Sequence, residues 1–282
     1  MRILLFGKTG QVGFELERTL STLGRIIAPA RKELDLLSLE AVARYLAHTK
    51  PDLIVNAAAW TGVDAAEEHR TEAERLNAGL PKQLAEFAAE QNVRLVHYSS
   101  DYVYPGNGVA PWQEGSPTDP LSFYGRTKLW GDLAVEQSGA DYLIFRTSWV
   151  YSARGNNFMK TMLRLAESKA ELNIVADQVG APTPARLIAQ VTTLALHKQL
   201  EKGLYHLAPL GETSWHDFAR EIFQLAGCKT TAHPIPTTDY PTPAKRPLNS
   251  RMDVSRLEQA LNIQLPDWQS QLVLTLNEYL EQ

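Results

Sequence analysis

A glycine-rich turn near the N-terminus limits what this chain can fold into more than any other feature. Arg2-Ile3-Leu4-Leu5-Phe6 reads as a buried strand that runs straight into Gly7-Lys8-Thr9-Gly10-Gln11-Val12-Gly13. A helical pattern then continues to about Leu23. Glycines spaced G-x-x-G-x-x-G allow a sharp turn. They also let backbone N–H groups approach a pyrophosphate at the helix N-terminus, where the dipole favours negative charge. A plain tight turn would use glycines too, but a turn opening a strand–helix–strand unit points to a dinucleotide. Gly7, Gly10, Gln11, Val12 and Gly13 are the first candidate cofactor contacts.

The first half of the chain alternates short β-branched runs with helical stretches. Candidate strands are Ile3–Phe6, Ile26–Ala28, Leu53–Asn56, Leu95–Ser99 and Leu143–Arg146, with helices near Gln11–Leu23, Leu39–His48, Glu72–Gln91 and Phe123–Gln137. Such alternation builds a parallel sheet covered on both faces, with ligands at the carboxyl ends of its strands. The expected fold is α/β: a Rossmann-type, doubly wound parallel sheet with a smaller C-terminal substrate-binding lobe. Residues 1–150 should form the dinucleotide domain, rejoined by about 185–208 through a helix (Ala185–Leu200) and a strand (Leu204–Leu207). Residues 151–282 should form mainly the lobe, with helices at Trp215–Ala226 and Val254–Leu261 and Pro clusters at 182–184 and 241–243.

Bulk properties narrow the class. A net charge of −4 argues against nucleic acid as a partner, which needs a basic face. The longest apolar run is interrupted by Asn56 and too short to span a bilayer, so no membrane partner is expected. The single cysteine, Cys228, excludes an intramolecular disulfide and fits a reducing, cytoplasmic compartment. It reads as a small apolar residue. The histidines show no H-E-x-x-H or Cys/His cluster, so no catalytic zinc is expected, and His97 reads as a satisfied core residue.

The second strand bears on the choice of cofactor. NAD sites usually place an acid about 20 residues beyond the glycines, to accept from the ribose 2′-OH. Here the strand runs Ile26-Ile27-Ala28-Pro29-Ala30-Arg31-Lys32 with no acid at its end. Arg31 and Lys32 suit a 2′-phosphate, favouring NADPH with NADH still possible, or else are solvated loop cations. Asp35 and Leu36 follow, placed to cap the adenine end.

Tyr124 and Lys128 stand four apart on an expected helix and so share a face. A phenol is a weak acid at neutral pH, and an ammonium about 4 Å away stabilises the phenolate by about 1–4 kcal/mol. Ser100, closing the preceding strand, could hydrogen-bond and polarise a substrate oxygen. Tyr-x-x-x-Lys alone often marks an exposed helical pair. Combined with the strand-end serine and the glycine turn, it points to hydride chemistry on a carbonyl.

These stretches, with Ser99-Ser100-Asp101-Tyr102-Val103-Tyr104, resemble the extended short-chain dehydrogenase/reductases. Phe145 to Tyr151, Gly155-Asn156-Asn157-Phe158, Asp177 to Thr183 and Arg246-Pro247-Leu248-Asn249-Ser250 narrow the likeness to reductases of dTDP-linked keto-deoxysugars, along the chain to Trp268. The resemblance implies reduction of a C4 keto group, with Tyr124 as proton donor, Lys128 as its partner and Ser100 tuning the site. It implies cofactor contacts from Gly10, Gln11, Val12, Asp35, Leu36, Ala59, Trp60 and Thr61. It also implies that Trp149 packs on the deoxysugar, with Asp101 and Asn157 among the substrate contacts. Some members form a dimer around magnesium. Glu15 is the one candidate ligand here, and Arg186 stands where those members carry another acid, so no metal is expected and a monomer or homodimer remains open.

Arg246 could grip the nucleotide diphosphate, since Arg suits bidentate phosphate recognition, or could pin a rigid loop. Trp112, Trp215 and Trp268 read as packing residues. Two other readings share the features above. A nucleotide-sugar epimerase or dehydratase uses the same Tyr/Lys pair, although dehydratases carry Glu after the strand-end Asp and this chain has Tyr102. A regulatory subunit on this fold would bind without turnover.

Overall fold

The computed structural model describes residues 1–281. Six strands form one sheet: β1 (Arg2–Phe6), β2 (Arg25–Ile27), β3 (Leu53–Asn56), β4 (Arg94–Ser100), β5 (Tyr142–Thr147) and β6 (Gly203–His206). Their spatial order is β6-β5-β4-β3-β1-β2, and every pairing is parallel. The chain leaves β1 for β2 at one edge, then crosses to β3 on the other side of β1. The connections after β1 and β3 therefore diverge, which opens a crevice at their carboxyl ends.

Strand alternation sends side chains to two faces. Ile3, Leu5, Val55 and Phe145 pack on one face against α1 (Gln11–Thr19) and Leu187, Ile188 and Val191 of a later helix. Leu4, Phe6, Ile54 and Ile144 pack on the other, beneath α2 (Leu39–Thr49), α3 (Leu80–Gln91) and α4 (Phe123–Gln137). Each such fully buried aliphatic or aromatic side chain contributes about 1.5–3 kcal/mol. The sheet is the middle of three layers.

Beyond β5 come α5 (Phe158–Ala166), α6 (Ala185–His197), α7 (Trp215–Leu225), α8 (Ser255–Leu261) and α9 (Trp268–Leu280). Helix α6 covers the sheet face shared with α1. Helices α5, α7 and α9 meet around a separate core of Tyr151, Met159, Phe218, Ile222, Trp268 and Leu272. A parallel pair of strands, Glu171–Val175 with Thr231–Ile235, flanks that core. Sequence reading missed α5, α9 and this pair, because their apolar residues match partners distant in the chain. Among the described residues, no helix is long and apolar enough to cross a membrane.

The expected continuous helix Glu72–Gln91 is broken. Arg70–Glu74 is α-helical, Arg75–Gly79 forms a π turn, and α3 starts at Leu80. Pro81 explains the break: it has no N–H for the carbonyl four residues back, at Asn77. The wider turn buries Asn77, whose Oδ1 accepts from Trp60 N at 2.9 Å. Its Nδ2 donates to Trp60 O at 3.0 Å and Thr127 Oγ1 at 3.1 Å. The π turn thus ties the loop after β3 to α4.

Helix α4 can approach that turn because residue 131 has no side chain. A Cβ there would lie 2.1 Å from the Asn77 carbonyl oxygen. Alanine normally favours a helix interior by about 1 kcal/mol over glycine. Here the sign should reverse, with Gly131→Ala destabilising the fold by about 1–3 kcal/mol in urea denaturation. A stabilised variant would show that the two helices part without cost.

Candidate active site

The crevice is a cleft of ≈ 910 Å³, within the range of sites that enclose a cofactor and substrate. At one end Gly7 turns the chain with φ 84°, where a Cβ would sit 2.6 Å from the Ala57 backbone. Gly10 precedes α1 with no side-chain cap, and the first turn holds no acid. The backbone amides opening α1 therefore face the cleft without a protein partner for their positive end. The Gln11 side chain turns away, its Oε1 accepting from Asn157 Nδ2 at 2.8 Å and Ser152 Oγ at 3.1 Å. Bare backbone at Gly7 and free amides beyond it fit a dinucleotide pyrophosphate. Arg31, Asp35 and Leu36 line the same wall, as do Ala59, Trp60 and Thr61.

The other end is built by β4 and α4. Ser122 caps α4, its Oγ accepting from Gly125 N at 3.2 Å. Gly125 lets the helix press on the preceding loop, since a Cβ there would meet the Tyr102 carbonyl oxygen at 2.3 Å. This contact brings Tyr124 beside Ser100 and Asp101, and all three line the cleft with Lys128. Ser100 Oγ donates to Asp101 Oδ1 at 3.0 Å and accepts from Tyr102 N at 3.2 Å. Asp101 Oδ2 is buried without a partner. Burial outweighs the hydrogen bond from Ser100 and lifts the Asp101 carboxyl to about 6.

Burial pushes the Tyr124 phenol up to about 12, with the Ser100 hydroxyl opposing and Asp101 and Asp132 adding to the rise. The phenol therefore carries its proton at neutral pH. Lys128 is only 2% exposed. Burial lowers its ammonium to about 8, against the pull of Asp132 one turn further along α4. Lys128 Nζ donates to Tyr98 O at 2.6 Å, so the β4 backbone orients the charge.

Three expected site residues stand behind the cleft lining, and Glu15 pairs with a cation. Gly13 does not line the cleft; a Cβ there would stand 2.0 Å from the Gly7 carbonyl oxygen, so its role is helix–strand packing. Asn157 is a cap: Oδ1 accepts from Lys160 N, and Nδ2 donates to Gln11, Ser152 and Arg154. Arg246 Nη2 donates to Asp64 Oδ2 at 2.7 Å. Glu15 Oε2 lies 3.4 Å from Arg186 Nε, and Arg186 Nη2 lies 2.8 Å from Glu278 Oε2. A guanidinium between two carboxylates fills the space a divalent cation would need, and these residues do not fit a metal. His97 is also only half satisfied: Nδ1 meets Asn56 Nδ2 at 3.2 Å, but buried Nε2 has no partner.

Sequence reading missed Trp215, which lines the cleft beside Trp149. The signal was the Ser214-Trp215-His216-Asp217 capping pattern, in which Asp217 N donates to Ser214 Oγ at 3.0 Å. It sets the tryptophan at the mouth of a helix. Trp149 itself has a left-handed backbone, φ 49°, and stacks on Trp215 with ring centroids 3.7 Å apart.

A family model described as the RmlD substrate binding domain matches residues 1–281. The chain belongs to that family. It is 48% identical to the dTDP-4-dehydrorhamnose reductase of Shigella flexneri, over 99% of this chain and 98% of that relative. The crystal structure of a dTDP-4-dehydrorhamnose reductase from Clostridium acetobutylicum superposes with a TM-score of 0.95 at 35% identity, covering 100% of both chains. The Bacillus anthracis dTDP-4-dehydrorhamnose reductase in complex with NADP gives 0.93 at 32% identity, covering 98% of this chain and 99% of that one.

A buried neutral phenol, a serine hydroxyl and a buried ammonium can together protonate a carbonyl oxygen as its carbon is reduced. The ammonium is present below about pH 8 and lost above it. Carbonyl reduction in this cleft should therefore hold its kcat/KM below about pH 8 and fall as pH rises through that value. A pH–rate profile flat to about pH 10 would show that the charge on Lys128 plays no part.

Proposed function

We propose that this chain is an NADPH-dependent oxidoreductase that reduces the C4 keto group of dTDP-4-dehydro-β-L-rhamnose to dTDP-L-rhamnose. One observation carries the reading: free amides of a dinucleotide-type turn and the Ser100/Tyr124/Lys128 cluster open into one cleft. Family membership over 1–281 supports it.

In this reading the cofactor supplies the hydride when bound. Tyr124 gives its phenolic proton to the C4 oxygen as the carbon is reduced, so carbonyl becomes alcohol. Ser100 hydrogen-bonds the same oxygen and holds it against the phenol. Lys128, oriented by the Tyr98 carbonyl, stabilises the phenolate until Tyr124 regains a proton. Amides of Gln11 and Val12 receive the pyrophosphate, with Gly10 lying against it, Arg31 meets the 2′-phosphate, and Asp35 and Leu36 the adenosine end. Ala59, Trp60 and Thr61 lie along the cofactor. Asp101 and Trp149 meet the sugar. Residues 1–150, with about 185–208, serve the dinucleotide, and most of 151–282 serves the sugar. The single cysteine supports a cytoplasmic site of action.

Loss of NADPH absorbance on adding dTDP-4-dehydro-β-L-rhamnose, with dTDP-L-rhamnose as product, is the expected result. Tyr124→Phe should lower turnover at least about a hundredfold while leaving the NADPH dissociation constant nearly unchanged. A Tyr124→Phe enzyme working at the wild-type rate would remove Tyr124 from the chemistry.

A further inference from the structure

The two cleft-lining tryptophans come from different parts of the chain. Trp149 follows β5 of the central sheet, while Trp215 opens α7 in the C-terminal core. Their rings are nearly parallel, 13° apart, with centroids 3.7 Å apart. Offset or parallel stacking at this separation is a close aromatic contact. A bulky residue with positive φ is strained, and such strain persists only where the surroundings over-determine it.

The surroundings do so on several sides of Trp149. A Cβ on Gly180 would lie 3.2 Å from its indole, so that edge is closed by backbone. Trp215 covers one face. Trp215 is itself held: Phe158 packs against it at 4.6 Å, and its Nε1 donates to Gln178 Oε1 at 3.2 Å. Gln178 Nε2 in turn donates to Thr237 Oγ1 at 3.1 Å. The ring that lies against Trp149 is thus anchored to the C-terminal core by packing and by a directed hydrogen bond. Because its N–H is already committed, Trp215 offers the cleft only an apolar surface.

We propose that Trp215 is a positioning residue for the sugar: it fixes the plane of Trp149 and completes an apolar wall beside Ser100 and Tyr124. The inference rests on the reductase reading above. A flat wall suits the apolar face of a deoxysugar ring, whose missing hydroxyl needs no partner there. Its expected effect falls on sugar binding and not on the cofactor, because the indole packs on Trp149 and Phe158 and commits its N–H to Gln178.

The test compares Trp215→Ala, Trp215→Leu and Trp215→Phe with the wild type. Trp215→Leu keeps apolar packing on Phe158, and melting curves identify any variant that fails to fold. Ala and Leu should raise KM for dTDP-4-dehydro-β-L-rhamnose roughly three- to tenfold. The NADPH dissociation constant should stay unchanged, and Phe should restore KM to within about twofold. The stacked indoles should also give a coupled near-ultraviolet circular dichroism signal, lost in Trp215→Phe and Trp149→Phe alike. Folded Ala and Leu variants with wild-type KM would overturn the proposal while the enzyme remained active. A wild-type protein that leaves NADPH unoxidised with this sugar would sink the reductase reading, and this inference with it.

Discussion

No side chain fits at positions 7 and 13, and the arrangement of the cleft follows from that. With Cβ atoms absent, β1, the start of α1 and the end of β3 come together backbone to backbone. The α1 amides then stand directly over the crevice where the strand order reverses. Gly125 and Gly131 do the same for α4, which they press against the Tyr102 loop and the Asn77 turn. Both working ends of the cleft are therefore placed by missing atoms, a tighter constraint than any single hydrogen bond, because overlap cannot relax by small adjustments.

What the amino-acid sequence disclosed, and what it concealed, follows from how local each signal was. The first five strands and the glycine turn were legible from periodicity and from spacing within a few residues. Ser100, Tyr124 and Lys128 were legible because a strand end and a helix start bracket them. The partners of Asn157 and Arg246, Gln11 and Asp64, lie 146 and 182 residues away and could not be read from local spacing. The π turn was hidden for another reason: Pro81 announces a break, but only the packing of α4 decides how the chain resolves it. Trp215 looked like core because aromatic residues in a helix usually are.

Helix α4 also carries a line of polar groups into the interior. Tyr124, Lys128 and Asp132 follow at four-residue spacing, and Asp132 Oδ2 accepts from buried Arg146 Nε at 3.0 Å. Arg146 Nη1 donates to Tyr104 OH at 2.8 Å, which also meets His206 Nε2 at 2.6 Å. Asp132 faces two cations but has one committed oxygen, and Oδ1 stays unpartnered. Its charge is shared, so it offsets only part of what burial costs Lys128. The ammonium is consequently poised near neutrality, where a surface lysine would be fully charged.

The course of the chain around β6 has its own consequence. That strand and α6 before it belong to the main sheet, yet α5, which precedes them, and α7, which follows, build the other core. The polypeptide enters the second core, returns to lay down a sheet strand and leaves again. A fragment ending after β5 would expose a hydrophobic strand edge built from Leu143 and Phe145, inviting pairing between copies. The two cores are thus interleaved rather than concatenated, and a boundary drawn at one point along the sequence cannot separate them as modules. Neither half is a cassette that recombination could transplant in one cut.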